Sequence, residues 1–374
     1  MNRLEGIDER VRLERAGDRT DDEAARPDDP RRDGLPGDTG NADSRNKDTR
    51  RADGRSADAW RNVFGPVPSR RLGRSLGVDP VPFKTCTFNC VYCQLGRTAR
   101  PTCQRRSFFT ADEIVDEVAQ ALDLLGHETD AVTIVGHGEP TLFTRLGELV
   151  RRIKKLTRLP VAVITNGSLL GRSSVRRDLL PADIVMPTLD TVDPDVFRRI
   201  NRPHRRLRCE EIVAGLAAFR REFRGRLWLE TMLVRDLNDG DEQLRALRLA
   251  LGDIAPDRMI LNVPVRPPAE AWVRPPAPER LARAREILGE ALLMDRPESG
   301  VFPRPSPRRS RATLWSVLQR HPLRYDQVLS LLGDDTPESV ADMLATWVRE
   351  GRLQRLVYRG EAFYTSPQGV YGAA

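Results

Sequence analysis

Three cysteines in one short stretch are the residues of this sequence best suited to metal chemistry. Cys86, Cys90 and Cys93 form a C-x3-C-x2-C run in a chain with five cysteines. Three thiolates on a [4Fe–4S] cluster leave one iron without a protein ligand, and such an open position distinguishes a reactive metal site from a closed structural one. A zinc site is the alternative, but structural zinc takes four ligands, and His127 has no metal-type spacing to the cysteines. The spacing favours a cluster.

A glycine-rich motif is the second candidate for chemistry. It reads Gly136-His137-Gly138-Glu139-Pro140. The two glycines let a ligand approach the backbone closely, and the Glu139 carboxylate can accept a hydrogen bond from an ammonium group. Gly-Glu-Pro is also a common turn. Its position directly after an apolar strand favours the ligand-binding interpretation.

Alternating strands and helices must position these motifs. The predicted strands are Ser75–Pro82, Ala131–Gly136, Val161–Thr165, Asp183–Pro187, Arg226–Val234 and Arg258–Val265. The predicted helices are Thr110–Leu125, which opens with a capping box, Leu146–Leu156, Ser174–Leu180, Cys209–Phe223, Asp241–Ile254 and Pro278–Leu292. Six strands alternating with six helices imply a parallel sheet with right-handed crossovers. A doubly wound sheet and an open barrel both fit, and in a barrel the strand-end motifs would meet at one mouth.

Residues Phe64–Gly96 resemble the radical S-adenosylmethionine (radical SAM) superfamily, in the branch of the wyosine-synthesising tRNA enzymes. The similarity extends to about Pro268. It implies an α/β fold built as a partial TIM-type (β/α)6 radical SAM barrel. It also implies two cofactors, a [4Fe–4S] cluster on the three cysteines and S-adenosylmethionine (AdoMet) on the open iron. Reductive cleavage of AdoMet would give a 5′-deoxyadenosyl radical, with electrons from a flavodoxin- or ferredoxin-type donor.

The resemblance also assigns residues to AdoMet. The segment Gly136–Pro140 is similar to the family's GGEP motif, which receives the methionyl amino group, and His137 stands where glycine is commoner. Tyr92 matches the aromatic residue that packs on the adenine, although a buried loop anchor is an equal alternative.

Polar residues after the next two strands complete the expected AdoMet site. Asn166 would reach the carboxylate or the ribose, and Thr188 and Asp190 would reach the ribose hydroxyls. The alternatives are an ordinary Asn-Gly turn at Asn166 and a helix cap at Asp190.

The sequence gives weaker signals for the residues that contact the substrate. Strand alternation places Glu230 and Met232 on one face, and Asn262 and Arg266 lie at the end of the sixth strand. Basic residues at Arg70–Arg74 and around Arg202 complete a ring of candidate anion contacts. The candidate substrate contacts are therefore Arg202, Glu230, Asn262 and Arg266, and structural salt bridges are the alternative for each arginine.

Composition divides the chain into four segments. Residues 1–59 are rich in Asp, Arg and Gly and are predicted to be disordered, residues 60–295 form the barrel, and residues 296–311 are a Pro/Arg-rich linker. Residues 312–367 are predicted as three helices, Leu314–Arg320, Tyr325–Leu332 and Pro337–Glu350, and a hairpin, Leu353–Arg359 with Glu361–Thr365. This order resembles a small C-terminal winged-helix domain.

Charge and hydropathy limit the function classes. The chain carries a net charge of +7, with the basic excess in residues 60–310, which favours an anionic substrate such as an RNA nucleoside or else a solvated arginine-rich surface. The third C-terminal helix is not basic, so the winged helix is expected to contact protein rather than DNA. No apolar stretch suits a membrane span or an export signal, and five unpaired cysteines fit the cytoplasm.

The sequence is compatible with two alternative functions. The first is a radical SAM iron–sulfur enzyme that acts on an unidentified substrate. The second is an iron–sulfur redox sensor that regulates transcription through the winged helix, but such a sensor needs no barrel and no Gly-Glu-Pro turn. Wyosine synthesis itself is not expected, because those enzymes use upstream cysteines for a second cluster, whereas this chain has only Cys103 and Cys209 besides the main motif.

Overall fold

The computed structural model describes residues 60–296, 302, 310–333 and 335–372. The segment predicted to be disordered, 1–59, and most of the predicted linker therefore lie outside the described residues. Eight strands form one sheet in sequential order: β1 Val63–Ser69, β2 Gly73–Val78, β3 Ala131–Ile134, β4 Val161–Thr165, β5 Ile184–Pro187, β6 Arg226–Met232, β7 Arg258–Asn262 and β8 Ala291–Met294.

Strands β2 to β8 are parallel, and β1 pairs antiparallel with β2. Helices on the outer face connect them: α1 Ala111–Leu125, α2 Leu146–Leu156, α3 Ser173–Leu179, α4 Pro194–Ile200, α5 Cys209–Glu222, α6 Asp241–Ile254 and α7 Pro278–Leu288. The predicted capping box starts α1, where the Thr110 side chain accepts from the Glu113 backbone N–H. The α/β barrel fold expected from the sequence is confirmed.

Two strands of the eight-stranded sheet, β1 and β8, were not predicted. Pro66 and Pro68 argue against a strand at Val63–Ser69, but β1 is the edge strand, where a missing N–H is tolerated. The predicted helix Pro278–Leu292 was wrong at its end. Helix α7 stops at Leu288, because Gly289 adopts φ +83°, and the apolar run that follows forms β8.

The two faces of the sheet bury different apolar clusters. One face packs on the outer helices. The other face lines the barrel lumen with a smaller set of apolar side chains from seven parts of the barrel: Leu72, Ala131, Ala162, Ile184, Met186, Trp228, Ile260, Leu292 and Met294. Side chains alternate along a strand, so residues two positions beyond these also point into the lumen.

The C-terminal residues form a smaller unit. Its elements are α8 Ser310–Leu318, β9 Leu323–Arg324, α9 Tyr325–Leu332, α10 Pro337–Arg349, β10 Gln354–Tyr358 and β11 Glu361–Thr365, with sheet order β10-β11-β9. Thr336 caps α10 through the Ser339 N–H. The unit packs on the barrel, because Phe64 and Val67 of β1 belong to its apolar cluster. In the described part of the chain, no helix has both the length and the apolar character needed to span a bilayer.

Candidate functional site

The three cysteines lie on one loop between β2 and α1, and each thiol is near one side-chain N–H donor. Asn166 Nδ2 lies 3.6 Å from Cys86 Sγ, and Asn201 Nδ2 lies 3.6 Å from Cys90 Sγ. These amides come from the loops after β4 and α4. The third donor, a lysine, lies within the cysteine loop itself. Hydrogen bonds of this kind stabilise thiolate ligands of a cluster.

Burial raises the pKa of two of the three thiols, those of Cys86 and Cys90. It raises the pKa of Cys86 to about 12, with the Glu139 carboxylate adding to the shift, and it raises the pKa of Cys90 well above the usual range, with Asp190 adding. Without metal these thiols are neutral at pH 7. Binding of cationic iron supplies the opposite charge that buried thiolates need and releases their protons. The thiols, their burial and their N–H donors thus fit a cluster.

The glycines of the predicted motif are required by close packing on the cysteine loop. A Cβ at Gly138 would lie 1.8 Å from the Thr85 carbonyl oxygen, and a Cβ at Gly136 would lie 1.8 Å from Asp79 Oδ1. The Glu139 N–H donates to the same Thr85 carbonyl at 2.9 Å. The segment Gly136–Pro140 is therefore seated directly against the loop that carries the cysteines.

The Glu139 side chain holds this segment in place. It is 1% exposed, and Oε1 accepts from the Thr141 N–H and hydroxyl and from the Thr165 hydroxyl, at 3.0, 2.6 and 2.5 Å. Oε2 accepts from the Asn166 N–H at 2.7 Å. Burial raises the pKa of Glu139. A carboxylate has about four acceptor positions, so most of its capacity is taken by the chain.

His137, whose role the sequence left open, joins three parts of the molecule. Nδ1 lies 2.5 Å from Asp79 Oδ2, Nε2 lies 3.2 Å from the Gln319 carbonyl oxygen of the C-terminal unit, and the ring packs edge-on against Phe83. Its own carbonyl accepts from the Lys84 N–H at 2.8 Å. These contacts make His137 a link between the glycine segment, the cysteine loop and the C-terminal unit.

Tyr92 and Asp190 are brought together by the fold. The Tyr92 hydroxyl donates to Asp190 Oδ2 at 2.6 Å, and the same carboxylate accepts from Asn201 Nδ2 and the Met232 N–H. Burial raises the pKa of Asp190 to about 6. The helix-cap alternative for Asp190 was wrong, since Asp193 caps α4.

The predicted substrate residues divide into two groups. Glu230 forms an ion pair with Arg71, which enters from the β1–β2 turn. Asn262 lies two residues beyond Ile260 of the lumen cluster, is 5% exposed, and has no hydrogen-bond partner for Oδ1 among the described residues. Thr188 likewise follows Met186 into the lumen. These residues place polar groups inside an otherwise apolar barrel.

The two predicted arginines lie elsewhere. Arg202, in a left-handed conformation with φ +43°, pairs with Glu270 and lines a cavity outside the barrel. Arg266 Nη1 donates to Gln94 Oε1 at 2.9 Å, directly beyond Cys93. The structure therefore groups Arg266 with the cysteine loop and separates Arg202 from the lumen.

Sequence reasoning missed two residues near Cys93, Lys84 and Tyr371. Lys84 Nζ donates to Cys93 Sγ at 3.1 Å and to the Gly96 carbonyl at 2.6 Å. Tyr371, near the C-terminus, donates its hydroxyl to the Gln94 carbonyl at 2.6 Å, and burial followed by the Cys93 charge raises its pKa. The lysine two residues before the first cysteine was a usable signal. Nothing local marks Tyr371, which is 277 residues from its partner.

The remaining cysteines lie away from this cluster of contacts. Cys209 is buried and its Sγ lies 3.3 Å from the Thr191 carbonyl; Cys103 is also buried, and its carbonyl accepts from Arg172 Nη1 at 3.1 Å. Within the described residues, no three His, Cys, Asp or Glu side chains converge to hold a single metal ion. The zinc alternative gains no support from this arrangement.

Comparison with known proteins agrees with this geometry. The model of the family described as Radical SAM superfamily matches residues 81–247. A UPF0026 protein of Methanocaldococcus jannaschii is 35% identical over 309 residues, which cover 81% of this chain and 95% of that protein. The chain therefore belongs to the group of UPF0026 proteins, and residues 81–247 form a radical SAM domain.

Two further similarities are weaker. A GTP 3′,8-cyclase of Limosilactobacillus fermentum is 28% identical over 188 residues, 50% of this chain and 54% of that protein. A radical SAM methyltransferase structure from Sphaerobacter thermophilus is 20% identical, with 59% of this chain and 66% of that chain covered and a TM-score of 0.45. Radical SAM proteins are enzymes that use a [4Fe–4S] cluster and AdoMet and need an electron donor, and these statements hold for this chain.

Proposed function

We propose that the protein cleaves AdoMet reductively and uses the resulting radical on an anionic, nucleotide-like substrate held in the barrel lumen. The observation that carries the proposal is the loop of three cysteines, each with one N–H donor, at the mouth of an apolar barrel that holds a few polar groups. When bound, the cluster and AdoMet supply a carbon-centred radical that abstracts hydrogen from the substrate. Everything else is positioning by the chain.

The chain's residues are assigned to AdoMet as follows. Glu139 orients the glycine segment, so that the backbone of Gly136–Pro140 and the one remaining acceptor position on Oε2 face the amino group. Tyr92, fixed by Asp190, offers its ring to the adenine, and Asp190 acts through Tyr92 rather than on the ribose. Thr188 supplies its hydroxyl to the ribose, and Asn166 supplies the second lone pair of Oδ1, because its two amide N–H groups already donate to Cys86 and Thr87. Asn166 holds Thr87 as well, through Nδ2 at 2.7 Å.

The lumen favours a substrate with hydrogen-bond donors. Asn262 Oδ1 is a buried acceptor with no partner among the described residues, and burying such a group is costly unless a ligand satisfies it. The Arg71–Glu230 pair offers a further donor and acceptor beside it, and Arg266 stands at the mouth. A nucleotide whose base lies in the lumen and whose phosphate or ribose faces Arg266 would form hydrogen bonds with these groups. The similarity to a GTP 3′,8-cyclase agrees with a purine nucleotide.

The C-terminal unit is proposed to be a winged helix that completes the barrel rather than a regulator. Its α10 helix exposes Glu338 and Asp342, and Glu350, which follows the helix directly, is exposed as well. Arg320 lies 3.5 Å from Asp79 and donates to the Arg61 carbonyl at 2.7 Å, and its own carbonyl accepts from Gln94. These bonds tie the unit to the cysteine loop. No comparison supports the transcriptional regulator alternative, and a cytoplasmic location is proposed with the enzyme.

Anaerobic reconstitution tests the cluster assignment. The wild-type chain should bind about four irons, and alanine at Cys86, Cys90 or Cys93 should abolish the cluster. Cys103→Ala is the matched control and should keep it. Zinc that stays bound after anaerobic reconstitution, with no iron, would overturn the proposal.

The substrate assignment needs a separate experiment. Addition of GTP or another purine nucleotide should accelerate the release of 5′-deoxyadenosine by the wild-type enzyme and not by Asn262→Leu, which keeps the volume but lacks the acceptor. Uncoupled cleavage without nucleotide should be equal in the two proteins. If no nucleotide changes the rate, the nucleotide assignment is wrong, although the radical SAM assignment stands.

A further inference from the structure

Four exposed arginines form a basic surface beside the cysteine loop. We call them the arginine face: Arg172, Arg205, Arg206 and Arg208. They line two adjoining cavities of about 470 and 440 Å³, whose walls contain seven arginines and only two glutamates. The floor of the larger cavity is apolar, with Leu169 contributing. The surface is therefore strongly positive around an apolar centre.

The charge of this face is not neutralised within the described part of the chain. None of its four arginines forms an ion pair with a carboxylate there. The other three cavity arginines are paired, as Arg176–Glu222, Arg198–Asp195 and Arg202–Glu270. The pKa of His204, which lines the same cavity, is lowered by burial and then by Arg206 and Arg205. Positive potential therefore persists at the surface.

The arginine face is one layer of residues from the cluster ligands. The loop that carries Arg205, Arg206 and Arg208 is bound to the cysteine loop, since the His204 N–H donates to the Thr87 carbonyl at 2.9 Å. Ser168, in the wall of the larger cavity, lies 2.8 Å from the Thr87 hydroxyl, and Thr87 follows Cys86 directly. One hydrogen bond, from Ser168 to Thr87, and one peptide bond, from Thr87 to Cys86, thus connect the cavity wall to a cluster ligand.

The cavity opens away from the lumen. One of its walls is the outer helix α5, through Ala214, Gly215 and Ala218. A substrate bound on this face would be outside the barrel and separated from the lumen by the cysteine loop. An electron, in contrast, must reach the cluster from outside.

We propose that the arginine face is the docking surface for the electron donor, a small acidic one-electron carrier protein. This inference rests on the proposed cluster. In the step, one electron leaves the reduced carrier, which is oxidised by one electron, and enters the cluster. No bond is made or broken. Acidic side chains of the carrier meet the four arginines, and its redox centre is placed at the apolar floor beside Ser168 and Thr87. Complementary charge at such a surface speeds association and makes it sensitive to salt.

A charge-neutralising variant tests the docking surface in the full-length reconstituted enzyme. The variant combines Arg172→Gln, Arg205→Gln, Arg206→Gln and Arg208→Gln. A reduced, acidic flavodoxin should reduce the cluster of this variant roughly tenfold or more slowly than that of the wild type, as measured by stopped-flow spectroscopy at low ionic strength. Reduction by photoreduced 5-deazariboflavin, which is small and uncharged, should be unchanged. Added salt should slow the wild type toward the rate of the variant.

Two further variants control for folding and for total charge. The fourfold Arg→Lys variant at the same positions keeps the charge and should retain most of the wild-type rate. Neutralisation of the exposed residues Arg221, Arg224, Arg355 and Arg359, which lie on other parts of the surface, should have little effect.

The outcomes separate this inference from the proposed function. If flavodoxin reduces the Gln variant as fast as the wild type, the docking surface is refuted. This holds even when deazaflavin reduces the cluster and AdoMet is cleaved. Loss of RNA binding in that variant, with the flavodoxin rate intact, would assign the face to nucleic acid and would also refute it. Failure of the wild type to assemble a cluster at all refutes the proposed function.

Discussion

Lys84 should raise the reduction potential of the cluster. Its ammonium donates to Cys93 Sγ at 3.1 Å, and the residue is held in a left-handed turn with φ +56°. Reduction adds a negative charge to the cluster, so a neighbouring positive charge stabilises the reduced form more than the oxidised form. Lys84→Met removes that charge with little change in side-chain length, and we expect the potential to fall.

The size of the shift follows from the hydrogen bond. A hydrogen bond to a charged group contributes about 1.5–3 kcal/mol. For a one-electron couple about 59 mV corresponds to about 1.4 kcal/mol, so complete loss of the bond in the reduced state alone gives ~60–130 mV. The same hydrogen bond also stabilises the oxidised cluster to some extent, which makes the difference between the two oxidation states smaller. We therefore expect a fall of roughly 30–130 mV.

A redox titration followed by electron paramagnetic resonance measures this shift. Lys84→Arg keeps the positive charge and should stay near the wild-type potential, whereas Lys84→Met should lie below both. Equal iron content in the three proteins shows that the loop has folded. An unchanged or higher potential in the Met variant would refute the electrostatic role of Lys84.

Three further changes test the site. Gly138→Ala places a Cβ against the Thr85 carbonyl and should prevent iron binding on reconstitution, whereas Gly126→Ala, with open space around it, should not; equal iron content would contradict the packing argument. Glu139→Gln should lower the free energy of unfolding of the apoprotein by about 1.5–3 kcal/mol, measured by urea titration, because a carboxylate that accepts four hydrogen bonds loses acceptor capacity. Tyr371→Phe removes the bond to Gln94 and should shorten the lifetime of the cluster in air at unchanged initial iron content; an unchanged lifetime would show that the C-terminal residues do not protect it.

The sequence predicted the parts of the molecule that depend on local pattern. The strand and helix alternation, the capping box at Thr110 and the placement of the glycine segment after a strand all depend on near neighbours in the chain. The cysteine loop was recognised from spacing alone. Its contact with the glycine segment followed from barrel topology, since consecutive strand ends meet at the mouth.

The sequence could not show how side chains share their hydrogen bonds. Glu139 and Asp190 were expected to face the ligand, but three-dimensional packing directs several backbone and side-chain donors at each carboxylate. Arg202 looked like a substrate contact, yet Glu270, 68 residues away, holds it outside the lumen. Residues 312–367 were predicted as a small domain beyond a linker, but β1 residues Phe64 and Val67 complete its apolar core. A deletion of Ala312–Ala374 would leave Phe64 and Val67 of β1 without their apolar partners and is not a clean test of function.

The release of 5′-deoxyadenosine and methionine from AdoMet is the measurement that tests the central claim most directly. Reconstituted, dithionite-reduced protein should release both products in equal amounts, slowly without substrate, as measured by anaerobic chromatography. Cys103→Ala should behave as the wild type, and Cys90→Ala should release neither. Absence of 5′-deoxyadenosine from wild-type protein with a full complement of about four irons per chain would contradict the account.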